Sequence, residues 1–313
     1  MVKIGDQVSD RREILTGLPT GSVLSCILFL IYVNDLPNIS SEFTPVLFAD
    51  DTTLSFRGSC MEEVVLTSNA ELVKFCEWTR ANRLMVNTDK TFHIDISTRS
   101  FSPSNIYFDG ALIENNSSGR FLGVLIDNKM NFKSHIDEVC KKVSRSIGIL
   151  YHLKNYLQIP SLISIYYSLV YPYLNYCSLV WGGTYESLLI PLITLQKRCI
   201  RLITGSPYLA HTSPLFKKYN LLKLLDIFKF RLAVYAFKNK NNLELLYPRT
   251  HSYNTRFGDN LRPHFQRLTC TTHSFNFVLP NLWNSIPEEF KSLSSIASFK
   301  NHYKKFLVSA YED

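Results

Sequence analysis

The sequence predicts an α+β protein whose first part mixes short strands with helices and whose second part is helical. Two observations carry this prediction. Up to Asp127, short β-branched and aromatic runs alternate with turn residues. After Asp127, apolar residues recur at steps of three and four, which is the spacing of amphipathic helices. Hydrophobic residues make up 46% of the 313 residues, so the chain can bury a sizeable core and is not typical of a disordered protein.

The first elements follow from composition and turn signals. A short strand is expected over Val2 to Val8. The apolar stretch from Val23 to Leu36, closed by Pro37, is too short to span a bilayer and predicts a buried helix. Thr44 to Phe56 predicts a β-hairpin with Asp50 and Asp51 at its tip.

The remaining elements of the first part are a helix and three short strands. The helix is expected over Met61 to Leu84, where apolar residues recur with helical spacing. The strands are expected over Phe92 to Ser97, Asn105 to Phe108 and Phe121 to Ile126.

The second part opens with an amphipathic helix that has one basic side. Its apolar positions run from Ile136 to Leu153, and its other faces carry lysine and arginine. Further helices are predicted over Pro160 to Tyr173, Leu188 to Ile203, Leu221 to Lys240 and Ile296 to Val308. The polar and aromatic segment from Asn241 to Thr272 predicts a long ordered loop or an extended segment.

The net charge of the chain also changes at Asp127. Residues 1–127 hold 10 Lys and Arg against 16 Asp and Glu, a net charge of −6, whereas residues 128–313 hold 24 against 10, a net charge of +14. A basic half suits a polyanionic partner such as nucleic acid, because lysine and arginine displace the counterions of phosphates. The alternative is that these residues are only the solvated faces of helices.

The sequence also predicts an intracellular protein, in the cytoplasm or the nucleus. The first residues are polar and lack the apolar core of a signal peptide. Seven cysteines show no CxxC pattern and no paired spacing with histidine, which favours reduced thiols over a zinc site. We expect no membrane partner, and the oligomeric state stays open.

Adjacent aspartates in an apolar hairpin raise a chemical question. Two neighbouring carboxylates repel each other, so Asp50 and Asp51 are accommodated side by side only where solvent or a cation screens their charges. Mg²⁺ is such a cation, because it prefers carboxylate, water and phosphate oxygens. For the pair alone, an ordinary solvated turn is the better interpretation.

The pair belongs to an ordered set of motifs. GLPTGSVLS, FLIYVNDLP, LFADDTTL, WTRANRLMVNTDKT and RFLGVLID follow one another along the chain. Together they resemble the polymerase domain of non-LTR retrotransposon reverse transcriptases, of the jockey-like and chicken-repeat-like lineages. Two later segments, IYYSLVYPYLNYCSLVWGGT and SFNFVLPNLWNSIPEEFKSLSSIASFKNHYKKFL, also look like this family. The resemblance implies a partial polymerase palm over 1–127, a helical thumb-like region over 128–240 and a C-terminal extension over 241–313.

The resemblance also implies the site. Asp50 and Asp51 would hold Mg²⁺, or Mn²⁺, and Lys90 would lie near the phosphates of the incoming dNTP. The loop residues that would approach the template base and the nucleotide are Gly17, Pro19, Thr20, Gly21 and Ser22, although the family more often has glutamine at the position of Thr20. The triplet Phe121, Leu122 and Gly123 would grip the primer strand.

The implied function is that of an RNA-directed DNA polymerase, with an RNA template, a DNA primer, their RNA–DNA hybrid and dNTPs as partners. In this family the first catalytic aspartate and the fingers precede the GLPTGS loop, and this chain begins just before that loop. Activity is therefore expected to require those upstream parts. The alternatives are a catalytically inactive nucleic-acid-binding remnant and an incomplete gene model from a decayed element.

Overall fold

The computed structural model describes residues 3–10, 21–97, 104–247, 261–263 and 273–311. Its contacts divide the chain into two compact units, Met1–Ser117 and Ser118–Asp313. Both contain helices, and the strands form small two-stranded pairs, so the described residues have the mixed α and β composition that the sequence predicts. The finer division into parts 1–127, 128–240 and 241–313 stays a prediction.

The first unit contains four strand pairs and two helices among its described residues. The strands are β1 (Lys3–Ile4), β2 (Gln7–Val8), β3 (Phe43–Phe48), β4 (Asp51–Phe56), β5 (Phe92–His93), β6 (Tyr107–Phe108), β7 (Ala111–Leu112) and β8 (Glu114–Asn115), and the helices are α1 (Val23–Tyr32) and α2 (Met61–Ala81). The pairs β1–β2, β3–β4 and β6–β7 are antiparallel, whereas β5–β8 is parallel. Two 3₁₀ turns, Leu36–Asn38 and Thr88–Lys90, complete the unit.

The hairpin β3–β4 and the helix α2 are predictions that the structure confirms. The hairpin pairs Phe43 with Phe56 at its open end and Phe48 with Asp51 at its tip. Alternate residues of the hairpin, with Leu47 and Leu54 among them, pack on a small core formed mainly by α2 and β6. The predicted strand over Val2 to Val8 is instead the hairpin β1–β2, in the residues that are described.

Helix α1 is confirmed as a helix, but the prediction that it is buried is wrong. None of its residues is buried, and Val23 is 80% exposed. Composition shows that a helix is apolar and does not show which element covers it. In the described residues, one anchor is visible at its end, where the Tyr32 hydroxyl donates to the carbonyl of Asn82.

The second unit is helical apart from one hairpin. That hairpin joins β9 (Ser118–Phe121) to β10 (Val124–Asp127). The helices are α3 (Lys133–Leu153), α4 (Ile159–Leu169), α5 (Tyr171–Asn175), α6 (Ser178–Trp181), α7 (Glu186–Thr204), α8 (Ser213–Lys218), α9 (Leu224–Lys238), α10 (Lys240–Leu246), α11 (Phe275–Ser285), α12 (Glu288–Lys291) and α13 (Ile296–Ser309).

The structure corrects the predicted boundaries of three elements. The single strand expected over Phe121 to Ile126 is split by a turn at Leu122 and Gly123. The helix expected over Pro160 to Tyr173 is two helices that meet at Val170, because Pro172 cannot continue the hydrogen bonding of α4. The loop expected over 241–272 begins as α10, and most of its other residues lie outside the described ranges.

The core of the second unit is built where α3, α4, α7 and the start of α9 meet. Trp181 and Ile200 are fully buried in it. Gln196 on α7 is also buried, and its amide is satisfied on both sides: Nε2 donates to the Tyr166 hydroxyl and to the Leu222 carbonyl, each at 3.0 Å, and Oε1 accepts from the Leu224 amide at 2.8 Å. A buried polar group with all these partners fixes the relative placement of three segments.

Among the described helices, none is both long enough and apolar enough to cross a membrane.

Candidate functional site

The aspartate pair occupies the tip of the hairpin β3–β4. Ala49 and Asp50 form the two-residue turn, and Asp51 is the first residue of β4, paired with Phe48. Ala49 has a φ of 53°, a left-handed conformation that is uncommon for alanine. Both carboxylates are exposed. Solvent therefore reaches both carboxylates and screens their mutual repulsion.

The pleat of the hairpin explains why the pair faces outward. Side chains alternate between the two faces of a strand. Leu47 and Leu54 point toward the core, while Asp51 shares the outer face with Val46 and Phe48. Phe48 is 61% exposed, so an aromatic ring and a carboxylate stand side by side on an open surface.

The pair fits a hard divalent cation in its chemistry, since Mg²⁺ takes carboxylate oxygens and keeps several waters. It is a partial ligand set, because the described residues contain no group of three or more His, Cys, Asp or Glu that could hold a metal. The assignment of Asp50 and Asp51 to metal binding remains a prediction.

Lys90 ends a 3₁₀ turn that its own sequence motif stabilises. The Asn87 side chain accepts a hydrogen bond from the Lys90 amide at 3.2 Å, and the Thr91 hydroxyl donates to the Asn87 carbonyl at 2.8 Å. These two bonds fix the backbone on either side of Lys90, whose side chain is exposed. The asparagine and threonine of the motif thus have a structural role that sequence spacing alone does not reveal.

The predicted template and nucleotide loop is only partly within the described residues. Gly17, Pro19 and Thr20 lie outside them. Gly21 has a φ of 83°, which glycine adopts easily, and Ser22 is the N-cap residue of α1. The Ser22 side chain makes no capping hydrogen bond, and its carbonyl accepts from the Ser25 hydroxyl at 2.5 Å.

The predicted primer-grip triplet forms the turn of the hairpin β9–β10. Phe121 ends β9, and Leu122 and Gly123 form the two-residue turn with φ values of 45° and 82°. This hairpin belongs to the second unit, whereas Asp50, Asp51 and Lys90 belong to the first.

Comparisons with known proteins agree with this set of motifs. Residues 2–126 match the family described as reverse transcriptase (RNA-dependent DNA polymerase). The chain is 22% identical over 232 residues to the probable RNA-directed DNA polymerase from transposon X-element of Drosophila melanogaster, covering 72% of this chain and 26% of that protein. It is 24% identical over 239 residues to the RNA-directed DNA polymerase from mobile element jockey of the same species, again covering 72% and 26%.

The chain is a homologue of these non-LTR retrotransposon reverse transcriptases. A third relative is the probable RNA-directed DNA polymerase from transposon BS of Drosophila melanogaster, 26% identical over 233 residues, with 71% of this chain and 26% of the relative covered. The chain thus spans about a quarter of the length of the curated relatives it matches, 26% in each of these three. No solved structure matches it.

In this reverse transcriptase homologue, the hairpin β9–β10 is tied to α3 by a small ionic network. Arg120 on β9 pairs with Glu138 on α3 at 2.7 Å, and Lys142 pairs with the other carboxylate oxygen of Glu138 at 2.6 Å. Hydrogen bonds from Lys142 and Arg120 lower the pKa of Glu138 from 4.5 to about 2. The carboxylate is therefore ionised at neutral pH and holds the strand against the helix.

Helix α3 has the basic side that its sequence predicts. Lys141 and Arg145 are exposed on it. Lys154, just beyond its last turn, lies 4.5 Å from the centre of the exposed Tyr151 ring.

Sequence reasoning missed the residues that hold the hairpin β9–β10. The spacing of Glu138 and Lys142 is the four-residue step of a helical ion pair, so part of the network could be read from the sequence. The Tyr176 hydroxyl donates to the Leu122 carbonyl at 2.7 Å, and no local pattern signals a contact between residues so far apart in the chain.

Proposed function

We propose that this chain carries the metal-binding turn and the hybrid-binding helices of an RNA-directed DNA polymerase. The reaction adds a nucleotide from a dNTP to the 3′-hydroxyl of a DNA primer paired with an RNA template. The observation that carries this proposal is the exposed pair Asp50 and Asp51, at the tip of a hairpin within the residues that match the reverse transcriptase family. In the proposal, 1–127 is part of the palm, 128–240 is the thumb and 241–313 is the C-terminal extension.

The aspartates have a simple role in this proposal. In the reaction, the primer 3′-oxygen attacks the α-phosphorus of the dNTP, and the bond to pyrophosphate breaks. Bound Mg²⁺ or Mn²⁺ would stabilise the negative charge that develops on the attacking and leaving oxygens. Asp50 and Asp51 supply carboxylate oxygens on an open surface, where a triphosphate and a primer end could reach a bound metal.

The other predicted residues surround the same reaction. Lys90, on a turn fixed by Asn87, would neutralise or protonate the leaving pyrophosphate. Gly17, Pro19, Thr20, Gly21 and Ser22 would line the loop that contacts the template base and the nucleotide. Glycine in this loop permits the close approach of the backbone to a ligand.

The second unit supplies the contact with the RNA–DNA hybrid in this proposal. Phe121, Leu122 and Gly123 would grip the primer strand. The exposed cations of α3, Lys141 and Arg145, would contact phosphates and not bases, so binding would be independent of sequence. RNA templates and dNTPs place this work inside the cell, in the cytoplasm or the nucleus.

Primer extension on an RNA template with Mg²⁺ tests the proposal. The chain is assayed alone and joined to the upstream polymerase segment of the jockey relative, each with wild-type sequence and with Asp50→Asn. We expect extension in the joined protein and a loss of at least about 100-fold in its Asp50→Asn variant, because a neutral amide is a weaker ligand for Mg²⁺ than a charged carboxylate. Asp35→Asn, at an exposed aspartate of the same unit, is the matched control and should keep full activity.

Two results would contradict the polymerase proposal. Unchanged extension in Asp50→Asn would remove the metal role of the pair. Hybrid binding without extension, by both the chain alone and the joined protein, would favour an inactive nucleic-acid-binding remnant. The net charge of +14 over residues 128–313 is the observation that supports this alternative.

A further inference from the structure

The turn Leu122–Gly123 has a backbone that its own sequence does not favour. Two-residue hairpin turns with positive φ at both positions prefer asparagine or glycine first and glycine second. Gly123 satisfies this preference, but Leu122 has a φ of 45°, where a branched side chain is strained. Strained backbone persists when neighbouring groups hold it, and it is concentrated at functional sites.

One side chain holds this turn from outside the hairpin. The Tyr176 hydroxyl donates to the Leu122 carbonyl at 2.7 Å. The Tyr176 ring also lies against Gly123, so that a Cβ on this glycine would be 3.3 Å from Cε1 of the ring. The tyrosine therefore contacts both residues of the turn.

Tyr176 is itself fixed by the core of the second unit. It follows the last residue of α5, and its carbonyl accepts a hydrogen bond from Nε1 of Trp181 at 2.9 Å. Trp181 is fully buried, and its ring packs edge-on against that of His135 on α3. Contacts thus connect the core to the tip of the hairpin.

The bond from Tyr176 changes what the turn presents to a ligand. The partial negative charge of the Leu122 carbonyl disfavours a phosphate at the tip, and the hydrogen bond from the Tyr176 hydroxyl offsets part of this charge. In a two-residue turn, the N–H groups of the turn residues lie outside the strand pairing and can donate to a phosphate oxygen. The arrangement favours an anionic nucleic-acid backbone at this tip.

We propose that Tyr176 is a positioning residue that holds the Phe121–Leu122–Gly123 turn in the conformation that receives the 3′-end of a DNA primer strand. This inference rests on the proposed function. Tyr176 acts through the turn and does not touch the reacting atoms.

The test is a binding measurement on the 313-residue chain with two probes. The probes are an RNA–DNA hybrid with a recessed DNA 3′-end and a blunt hybrid of the same length, each labelled for fluorescence anisotropy. We expect the wild type to prefer the recessed end, and Tyr176→Phe to lower this preference about fivefold, because one hydrogen bond of ordinary net strength is lost. The dependence of affinity on salt should not change, since no charge is removed.

Three further variants and one further readout separate positioning from general folding. Tyr156→Phe makes the same chemical change at a tyrosine that is 84% exposed, and it should bind as the wild type does. Gly123→Ala should reproduce the loss, because alanine is strained at a φ of 82° and its Cβ would lie 3.3 Å from the Tyr176 ring. The variant that combines Tyr176→Phe with Gly123→Ala should lose no more than either single variant. Hydrogen exchange at the amides of the turn should be faster in Tyr176→Phe, with an unchanged thermal midpoint.

Each outcome decides the inference. An unchanged preference for the recessed end in Tyr176→Phe overturns it, whether or not exchange is faster, and leaves the polymerase proposal standing. Absence of hybrid binding by the wild-type chain at low salt contradicts the hybrid-binding role of the second unit and the inference together.

Discussion

The two units of this chain differ in how much core supports their surfaces. In the described residues, the largest side chains that are under 2% exposed lie almost all in the second unit, with Leu36 as the exception in the first. The aspartate pair stands on a hairpin packed on a small core, whereas the hairpin β9–β10 is tied to a thick helical core. The difference shows that the candidate metal site depends mainly on local sequence, and the candidate primer contact depends on distant residues.

In each unit, a side-chain amide bridges separate segments through hydrogen bonds. The two amides allow a direct comparison of stability between the units. Gln196 bridges three segments of the second unit from a buried position, and Asn69 on α2 bridges the Asn105 carbonyl and the Tyr107 amide from a partly exposed one. We expect Gln196→Ala to lower the free energy of unfolding by about 2–4 kcal/mol, because it leaves buried groups unsatisfied, and Asn69→Ala to lower it by about 1 kcal/mol.

Urea unfolding followed by circular dichroism measures both changes. Gln158→Ala, at an exposed glutamine whose side chain caps no helix, serves as the matched control and should be nearly neutral. Equal losses in Gln196→Ala and Asn69→Ala would show that the two units do not differ in the way described.

Acid should loosen the hairpin β9–β10 through Glu138. The pKa of Glu138 is lowered from 4.5 to about 2 in the folded chain, so its ion pairs add stability above pH 4.5 and lose it as the pH falls toward about 2. We expect the thermal midpoint of the wild type to fall over this range by roughly 2–6 °C more than that of Glu138→Gln. Parallel pH profiles for the two proteins would remove Glu138 from the account.

The salt dependence of hybrid binding should show that the basic unit, and not the acidic one, contacts the hybrid. This is the smallest of the expected effects. The logarithm of hybrid affinity is expected to fall linearly with the logarithm of salt concentration, and Lys141→Ala and Arg145→Ala should each reduce the slope by about 0.9. Arg57→Ala, at an exposed arginine of the first unit, is the control and should leave the slope unchanged. A slope that changes in Arg57→Ala and not in the α3 variants would show that the hybrid binds to the first unit, which contradicts the account.

The sequence predicted the local features well. The hairpin β3–β4, helix α2 and the basic helix α3 all follow from the periodicity of short stretches, and each is present. The exposure of α1 was not predictable, because an apolar pattern does not show whether another element covers the helix. The contact from Tyr176 to Leu122 was not predictable either, since it joins residues that only the packing of α5 brings together.

The local features of the candidate site were also predictable, and its distant contacts were not. Asp50 and Asp51 are adjacent in sequence, so the prediction of a hairpin was enough to put both at its tip. The stabilisation of the Lys90 turn by Asn87 is also local, but a motif does not say which of its residues bind a ligand and which shape the backbone.

The most direct test of the central claim is paramagnetic broadening of backbone amide signals by Mn²⁺ in the 313-residue chain. Mn²⁺ takes the same oxygen ligands as Mg²⁺, and broadening detects even weak binding. We expect the amides from Ala49 to Thr52 to broaden first, and this broadening to disappear in the Asp50→Asn, Asp51→Asn double variant while Asp35→Asn keeps it. Equal broadening in the wild type and the double variant would contradict the assignment of the aspartate pair as the metal site.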